Sequence, residues 1–334
     1  MGNRMKNITH IRKNGLAAWA ALFIIAGAIG YDSAAQSPVL VIRPNGKDFK
    51  EVVKSLSDDL SNEAKIYETV IEPRINETAI DSAIRKYVPS AIVLMDNNSI
   101  SYYKKHCRLL PDPAQNIPSI SIMGILVGNA ISGLENAEAI SYEIPIVTSV
   151  INLRLLIGTP VRKVGIIHRE LMKNLIEQNR EACARENINI ICRVIPNKAG
   201  SLRLQLKKAI NELLTDEHVD ALWIPNDNIL ISPAFLTEVW IPQINRFKKP
   251  VIVGIEVLAS PSLDFGILAV MPDHDALGVQ AASLIINAKE NNWKVHTGNV
   301  DPSLSVYKIL NLRKAQELYN IKKENCKNID KILE

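Results

Sequence analysis

The chain has 334 residues, of which 47% are hydrophobic, 22% charged and 5% aromatic, with four cysteines and a formal net charge of +4. That balance excludes a disulfide-stapled miniprotein, a disordered chain and a collagen-like repeat, and the length suffices for two domains of ordinary size. The positive excess sits at one end: residues 1–35 hold Arg4, Lys6, Arg12 and Lys13 against the single acid Asp32. Taking those four bases and one acid from totals of 39 and 35 leaves 35 and 34, a net charge of +1. With neither a basic surplus nor aromatic platforms, the remainder is not expected to bind nucleic acid.

Behind the N-terminal bases comes an uncharged apolar run, Gly15 to Gly30, and then Ser33-Ala34-Ala35 before Gln36. Bases, apolar run and small residues in this order predict a secretory signal peptide over residues 1–35, with cleavage after Ala35 and export to the periplasm or extracytoplasmic space. An uncleaved anchor is the alternative, although the run is shorter than the roughly 20 residues a spanning helix needs. Cys107, Cys183, Cys192 and Cys326 form no close paired pattern. Cys183 and Cys192 fall in a helix and the following strand and could approach each other, or be buried as small hydrophobes, so no bridge is predicted.

From Pro38 onward, short apolar runs alternate with helical spacing. Val39-Leu40-Val41-Ile42 predicts a strand, and Phe49, Val52, Val53 and Leu56 predict a helix from Asp48 to Leu60. A strand from Lys65 to Ile71, an amphipathic helix from Glu77 to Val88, and strands at Ala91–Met95 and Ser119–Gly124 follow. After Gly158-Thr159-Pro160 a second series begins. Its strands are Lys163–Ile167, Ile188–Val194, Val219–Ile224, Pro250–Ile255 and Phe265–Val270, separated by helices Leu171–Glu186, Leu202–Leu214 and Pro233–Arg246. Helix Ala276–Lys289, a strand at Val306–Leu310 and helix Leu312–Tyr319 lead into a lysine-rich tail expected to be loosely ordered. The alternation predicts an α/β fold: two Rossmann-like units, each a parallel sheet covered by helices.

In open parallel sheets, ligands gather beyond the carboxyl ends of the strands. Those positions here hold Asn45, Asp96 and Asn97 in the first unit, and His168, Arg169, Asn226, Asp227, Asn228 and Glu256 in the second. Amides and carboxylates suit hydrogen bonding to a small polar solute, while Asn, Asp, Gly and Pro also serve as turn residues and helix caps. Asn226-Asp227-Asn228 is the strongest group, because it directly follows the apolar strand Ala221-Leu222-Trp223-Ile224. Asp273-His274-Asp275 resembles a metal or acid/base cluster, but no further histidine or acid lies near it in sequence. A hinge or helix start is therefore expected there, with no metal and no cofactor. Nucleophile elbows, Walker loops, His-Glu-x-x-His and Gly-x-Gly-x-x-Gly after a strand are all missing.

Several segments together resemble a known family. They are Val161-Arg162-Lys163-Val164-Gly165-Ile166-Ile167, the stretch Val219 to Asn228, Pro250-Val251-Ile252-Val253-Gly254, Gly266 to Val270, Asp273 to Gly278, and Ile309-Leu310-Asn311-Leu312-Arg313-Lys314-Ala315. In this order they are similar to the substrate-binding proteins of ABC transporters that include tryptophan- and tyrosine-binding members, of type I periplasmic-binding architecture. The resemblance spans residues 131–320. It implies two lobes, residues 36–148 with 273–303 and residues 149–272 with 304–334, joined by three crossings near Thr148-Ser149, Met271–Asp273 and Ser303–Val306.

The same resemblance places Asn226, Asp227 and Asn228 in the cleft and Asp273 at the second crossing. The chain departs from the family at His168-Arg169-Glu170, where a small polar turn is usual. The function implied is a monomeric, non-enzymatic binding component of an ABC importer, which traps a small polar solute such as an amino acid and delivers it to a membrane permease. Arg169 could pair with a solute carboxylate, and Glu143 or Glu256 with an ammonium group, while Glu143 and Arg154 could equally be solvated surface charges. A sensory binding protein feeding a membrane receptor or kinase is the alternative, and an exported α/β enzyme is a third reading.

Overall fold

The computed structural model describes residues 36–72, 78–110, 116–196 and 201–334. The expected signal peptide lies outside them. No helix among the described residues is long and apolar enough to cross a membrane.

Two sheets organise the chain. The first joins β1 (Ser37–Pro44), β2 (Ala64–Ile71), β3 (Ala91–Met95), β4 (Ser119–Ile122), β5 (Ala137–Ile140) and β11 (Val300–Asp301) in the order β11-β5-β4-β3-β1-β2, parallel throughout. The second joins β6 (Lys163–Arg169), β7 (Asn189–Ile195), β8 (Ala221–Trp223), β9 (Val251–Val253), β10 (Leu268–Pro272), β12 (Val306–Asn311) and β13 (Lys331–Leu333) in the order β13-β12-β10-β9-β8-β6-β7. Their central strands are apolar on both faces, as sheets covered on both sides require: every residue of β3, β8 and β9 is buried.

Helices supply the cover. In chain order they are α1 (Lys47–Asp59), α2 (Thr78–Tyr87), α3 (Asn97–Arg108), α4 (Val127–Ile131), α5 (Ile146–Ile157), α6 (Lys173–Arg185), α7 (Leu202–Asn211), α8 (Pro233–Phe235), α9 (Ile241–Phe247), α10 (His274–Glu290) and α11 (Leu312–Tyr319). Two apolar cores flank the first sheet. One gathers Val39, Val41 and Val93 with Val52 and Leu56 of α1 and Leu277 and Ala281 of α10, and the other gathers Leu40, Ile92 and Leu94 with Ile80, Ile100 and Tyr103. Two more flank the second sheet, one around Leu222, Leu213 and Trp240, the other around Val164, Ile252, Val150 and Leu153.

The chain passes between the sheets three times: after β5, after β10 and after β11. Thr148 and Ser149 lie inside α5, whose Ile146, Val150 and Leu153 are buried in the second sheet's core. The first crossing is therefore the short segment between Ile140 and Ile146. On the third passage the chain returns at the end from which β10 departs, with Val306 opposite Pro272, so β12 runs antiparallel to β10. The second sheet is thus mostly parallel, with β10–β12 an antiparallel pair.

Other expectations also change. Helix α5 has no counterpart in the hydrophobic pattern, because Ile146–Ile157 is apolar nearly all round and shows no helical contrast. Helix α3 is missed for the opposite reason, being polar except at Ile100, Tyr102, Tyr103 and Cys107, which pack against the core. The lysine-rich tail is not loose: Ile321 and Cys326 are buried, and β13 adds a parallel strand beside β12. All four cysteines are free thiols.

Candidate ligand cleft

Both sheets direct carboxyl strand ends toward the crossings, and the segment after β5 meets the ends of β8 and β9. Tyr142, Glu143 and Ile144 line a small gap with Trp223, Asn226 and Gly254. Beside it, and sharing Tyr142, opens a cleft of about 650 Å³ bordered by the start of α1, Glu256, Asp273, Tyr307 and Lys331. Of the residues that the sequence singles out, Asn226 and Glu143 border the gap, and Glu256 and Asp273 border the cleft.

Asn226 has the most telling environment. Its Oδ1 is buried without a hydrogen-bond partner, a state that leaves a desolvation cost of about 1–3 kcal/mol uncompensated. Its side chain lies against the backbone of Gly254, where a Cβ would stand 2.6 Å from Oδ1. Gly254 thus leaves the room this amide occupies. An N–H donor entering the gap would satisfy the orphaned oxygen.

Asp227 and Arg169 engage each other. Arg169 Nε donates to Asp227 Oδ2 at 2.7 Å, and Asp227 Oδ1 accepts from the Ile229 N–H at 2.9 Å and the Leu230 N–H at 3.3 Å. Strand β6 extends through Arg169, so His168 is a buried strand residue whose Nδ1 contacts the Arg169 carbonyl at 2.9 Å, rather than part of a turn. Asn228 is exposed just beyond.

At the first sheet, Asn97 and Glu143 hold the loop that follows β4. Asn97 Oδ1 accepts from the Ile125 N–H at 2.7 Å and its Nδ2 donates to the Ile125 carbonyl at 2.8 Å. Glu143 Oε1 accepts from the Leu126 N–H at 2.5 Å, and Oε2 accepts from Ser141 Oγ at 3.1 Å. Between these anchors Met123 and Leu126 adopt left-handed conformations, φ 57° and 49°, which cost energy for residues with a Cβ and persist only where surrounding bonds impose them. Burial raises the Glu143 carboxyl above the usual range, offset in part by the Leu126 and Glu143 N–H groups and Ser141.

Asp96 caps α3, with Oδ1 accepting from the Ser99 N–H at 2.8 Å, and Asn45 is exposed after β1. Ser149 Oγ donates back to the Pro145 carbonyl within α5 at 3.4 Å, and the Thr148 carbonyl accepts from Asn152. Glu256 Oε1 accepts from Lys331 Nζ at 2.6 Å, and Asp273 caps α10 through the N–H groups of Asp275 and Ala276.

The sequence reading missed Tyr142 and the surroundings of His274. Tyr142 OH lies 3.0 Å from His274 Nε2, linking the first crossing to the second. Burial, followed by the nearby Asp48 carboxylate, raises the Tyr142 phenol, which stays protonated. No local pattern marks this pair, because the residues are far apart in sequence.

Two solved structures match this arrangement over nearly their whole length. The ABC domain in complex with L-Trp from Streptococcus pneumonia aligns with a TM-score of 0.53 and 16% identity, covering 89% of this chain and 100% of that one. The ligand-free, open structure of CD0873, a substrate binding protein with adhesive properties from Clostridium difficile, aligns with a TM-score of 0.62 and 14% identity, covering 89% and 99%. The chain has the type I periplasmic-binding fold. No family model matches it, and no curated protein does. At this identity the type I periplasmic-binding fold is what the two proteins share with the chain, and the solute is a separate question.

Proposed function

We propose that the protein is the extracytoplasmic solute-binding component of an ABC importer, trapping a small amino-acid-like solute between its two sheets and presenting it to a membrane permease. The observation that carries this reading is the buried, unpartnered Oδ1 of Asn226, in a gap where the segment after β5 faces the ends of β8 and β9. The fold supports it, since one matched structure is a complex with L-Trp and the other is a substrate binding protein.

In this reading Asn226 accepts a donor from the solute, while Asp273 and Glu256 border its entry. Approach of the two sheets strips water from the solute, and preformed amides and carboxylates replace that water. No chemical conversion is involved. Because Arg169 is held by Asp227, the solute's carboxylate is expected to meet backbone N–H groups instead. The N-terminal segment acts as the export signal, and the mature chain works as a monomer.

The test is a thermal-shift screen of the purified protein against amino acids and small organic anions, because a ligand selective for the folded form raises Tm. A hit confirmed by calorimetry should bind at least about tenfold more weakly to Asn226→Ala and to Asp273→Ala, the loss expected when a hydrogen bond worth roughly 1.4 kcal/mol disappears. Unchanged binding by both variants would remove the cleft assignment, and turnover of the solute would remove the binding-protein reading.

A further inference from the structure

The helix that begins after the second crossing lies against α1 unusually closely. At Gly278 a Cβ would stand 2.6 Å from the Val52 carbonyl oxygen and 2.8 Å from the Leu56 nitrogen, so only glycine allows the approach. Ser55 Oγ donates to the Asp275 carbonyl at 2.6 Å and fixes the relative height of the two helices. The first residue of α10, His274, is thereby placed beside the first turn of α1, where Asp48 and Glu51 share a face by their three-residue spacing.

One carboxylate oxygen of each acid and one ring nitrogen of His274 all lie within 4.8 Å of one another. The histidine is held for ligation. Its side chain is only 7% exposed, Nε2 is engaged by Tyr142 OH at 3.0 Å, and the two rings stack at 6.1 Å. That leaves Nδ1 facing Glu51 Oε2 at 3.7 Å, too far for a hydrogen bond. Two ligands bound to one ion at about 2.1 Å and a tetrahedral angle stand about 3.4 Å apart, so the separation is close to one that a bridging ion would set. An outer partner that fixes the ring and its tautomer is the usual companion of a metal-binding histidine. The cleft wall also carries five carboxylates, of Asp48, Glu51, Glu256, Asp273 and Asp275, against two lysines, Lys47 and Lys331.

We propose that Asp48, Glu51 and Nδ1 of His274 bind one divalent transition-metal cation, with Tyr142 as the positioning residue that orients the imidazole. One nitrogen and two carboxylate ligands suit Zn2+ or Mn2+. The exposed acids adjust to the ion by side-chain rotation, while the buried histidine is already in place. The site is formed entirely by elements packed on the first sheet and the adjoining first crossing, so it does not depend on the solute reading.

Calorimetric titration of the purified protein with Zn2+ alone should give one ion per chain with micromolar affinity. Mn2+ binding followed by electron paramagnetic resonance provides a second reading that avoids the four thiols. In Asp48→Asn/Glu51→Gln, which alters exposed side chains only, both signals should be lost while the apo Tm stays near that of the parent. Tyr142→Phe should weaken Zn2+ binding by about 10- to 100-fold, the effect of removing an outer partner from a ligating histidine. The proposal is overturned if millimolar Zn2+ gives no heat, or if the double variant binds Zn2+ or Mn2+ as the parent does, which would place the ion elsewhere. An unchanged affinity in Tyr142→Phe would overturn the positioning role. Solute binding is measured separately, so failure of this site and failure of the importer reading are distinguishable.

Discussion

Arg169 at the end of β6 and Asp227 after β8 are tied by a 2.7 Å hydrogen bond in which the aspartate side chain is fully buried and the arginine side chain 18% exposed. A buried carboxylate persists only because Arg169 and the N–H groups of Ile229 and Leu230 replace its water. Arg169→Met should therefore lower the unfolding free energy by about 3 kcal/mol, since it leaves the buried charge without its counterion. In a double-mutant cycle with Asp227→Asn, urea denaturation should reveal coupling of about 1–3 kcal/mol. Additive losses would show that the pair does not act as a unit.

Asn97 acts on the loop after β4 rather than on a core. Asn97→Ala removes both hydrogen bonds to Ile125, and because the side chain is exposed the global cost should stay near 1 kcal/mol. The local effect should be larger. Hydrogen exchange at the Ile125 amide, and at Leu126 beside it, should lose protection while β3 and β4 keep theirs. Retained protection at Ile125 would show that the loop's left-handed residues hold themselves.

Gly278→Ala tests the close approach of α10 to α1. Within an ordinary helix this substitution stabilises by about 1 kcal/mol. Here the added methyl meets backbone atoms of α1 that cannot turn away, and a loss of about 2–3 kcal/mol in chemical denaturation is expected. A neutral or stabilising outcome would mean that the helices separate without cost.

Glu143 gives a pH signature. Burial holds its carboxyl above the ordinary range, so the folded chain binds this proton more tightly than the unfolded chain. Its contribution to stability is full below the unfolded carboxyl range and is lost as pH rises through the raised folded value. Glu143→Gln keeps an acceptor for the Leu126 N–H and removes the charge. The Tm difference between variant and parent should thus shift in favour of the variant as pH rises above the ordinary carboxyl range. Parallel pH profiles would contradict the raised value.

Much of the fold was legible in the pattern of residues. Val39–Ile42 and Ala91–Met95 are too apolar for anything but covered strands, and Leu312–Tyr319 is a helix at the expected bounds. Elements whose burial depends on neighbours were not legible. Helix α5 shows no contrast because it is apolar nearly all round, and β13 forms because β12 offers it an edge. For the cleft, Asn226 was marked in the sequence as a polar residue after an apolar strand, and in the fold it borders the gap. The partner that Asp227 takes was not visible, because Arg169 lies 58 residues away.

By itself the sequence determined the alternation of strands and helices, the confinement of excess charge to the N-terminal segment, and the polar strand ends, since each depends on residues within a few positions of one another. Only the tertiary structure decided which of those polar groups are spent on the protein itself. Arg169 and Asn97 are held by internal partners, whereas the oxygen of Asn226 is left without one. Tertiary packing also brought Asp48 and Glu51 to His274, through a glycine that lets two helices touch. Side-chain chemistry is local, but satisfaction of a buried polar group depends on whatever the fold places beside it.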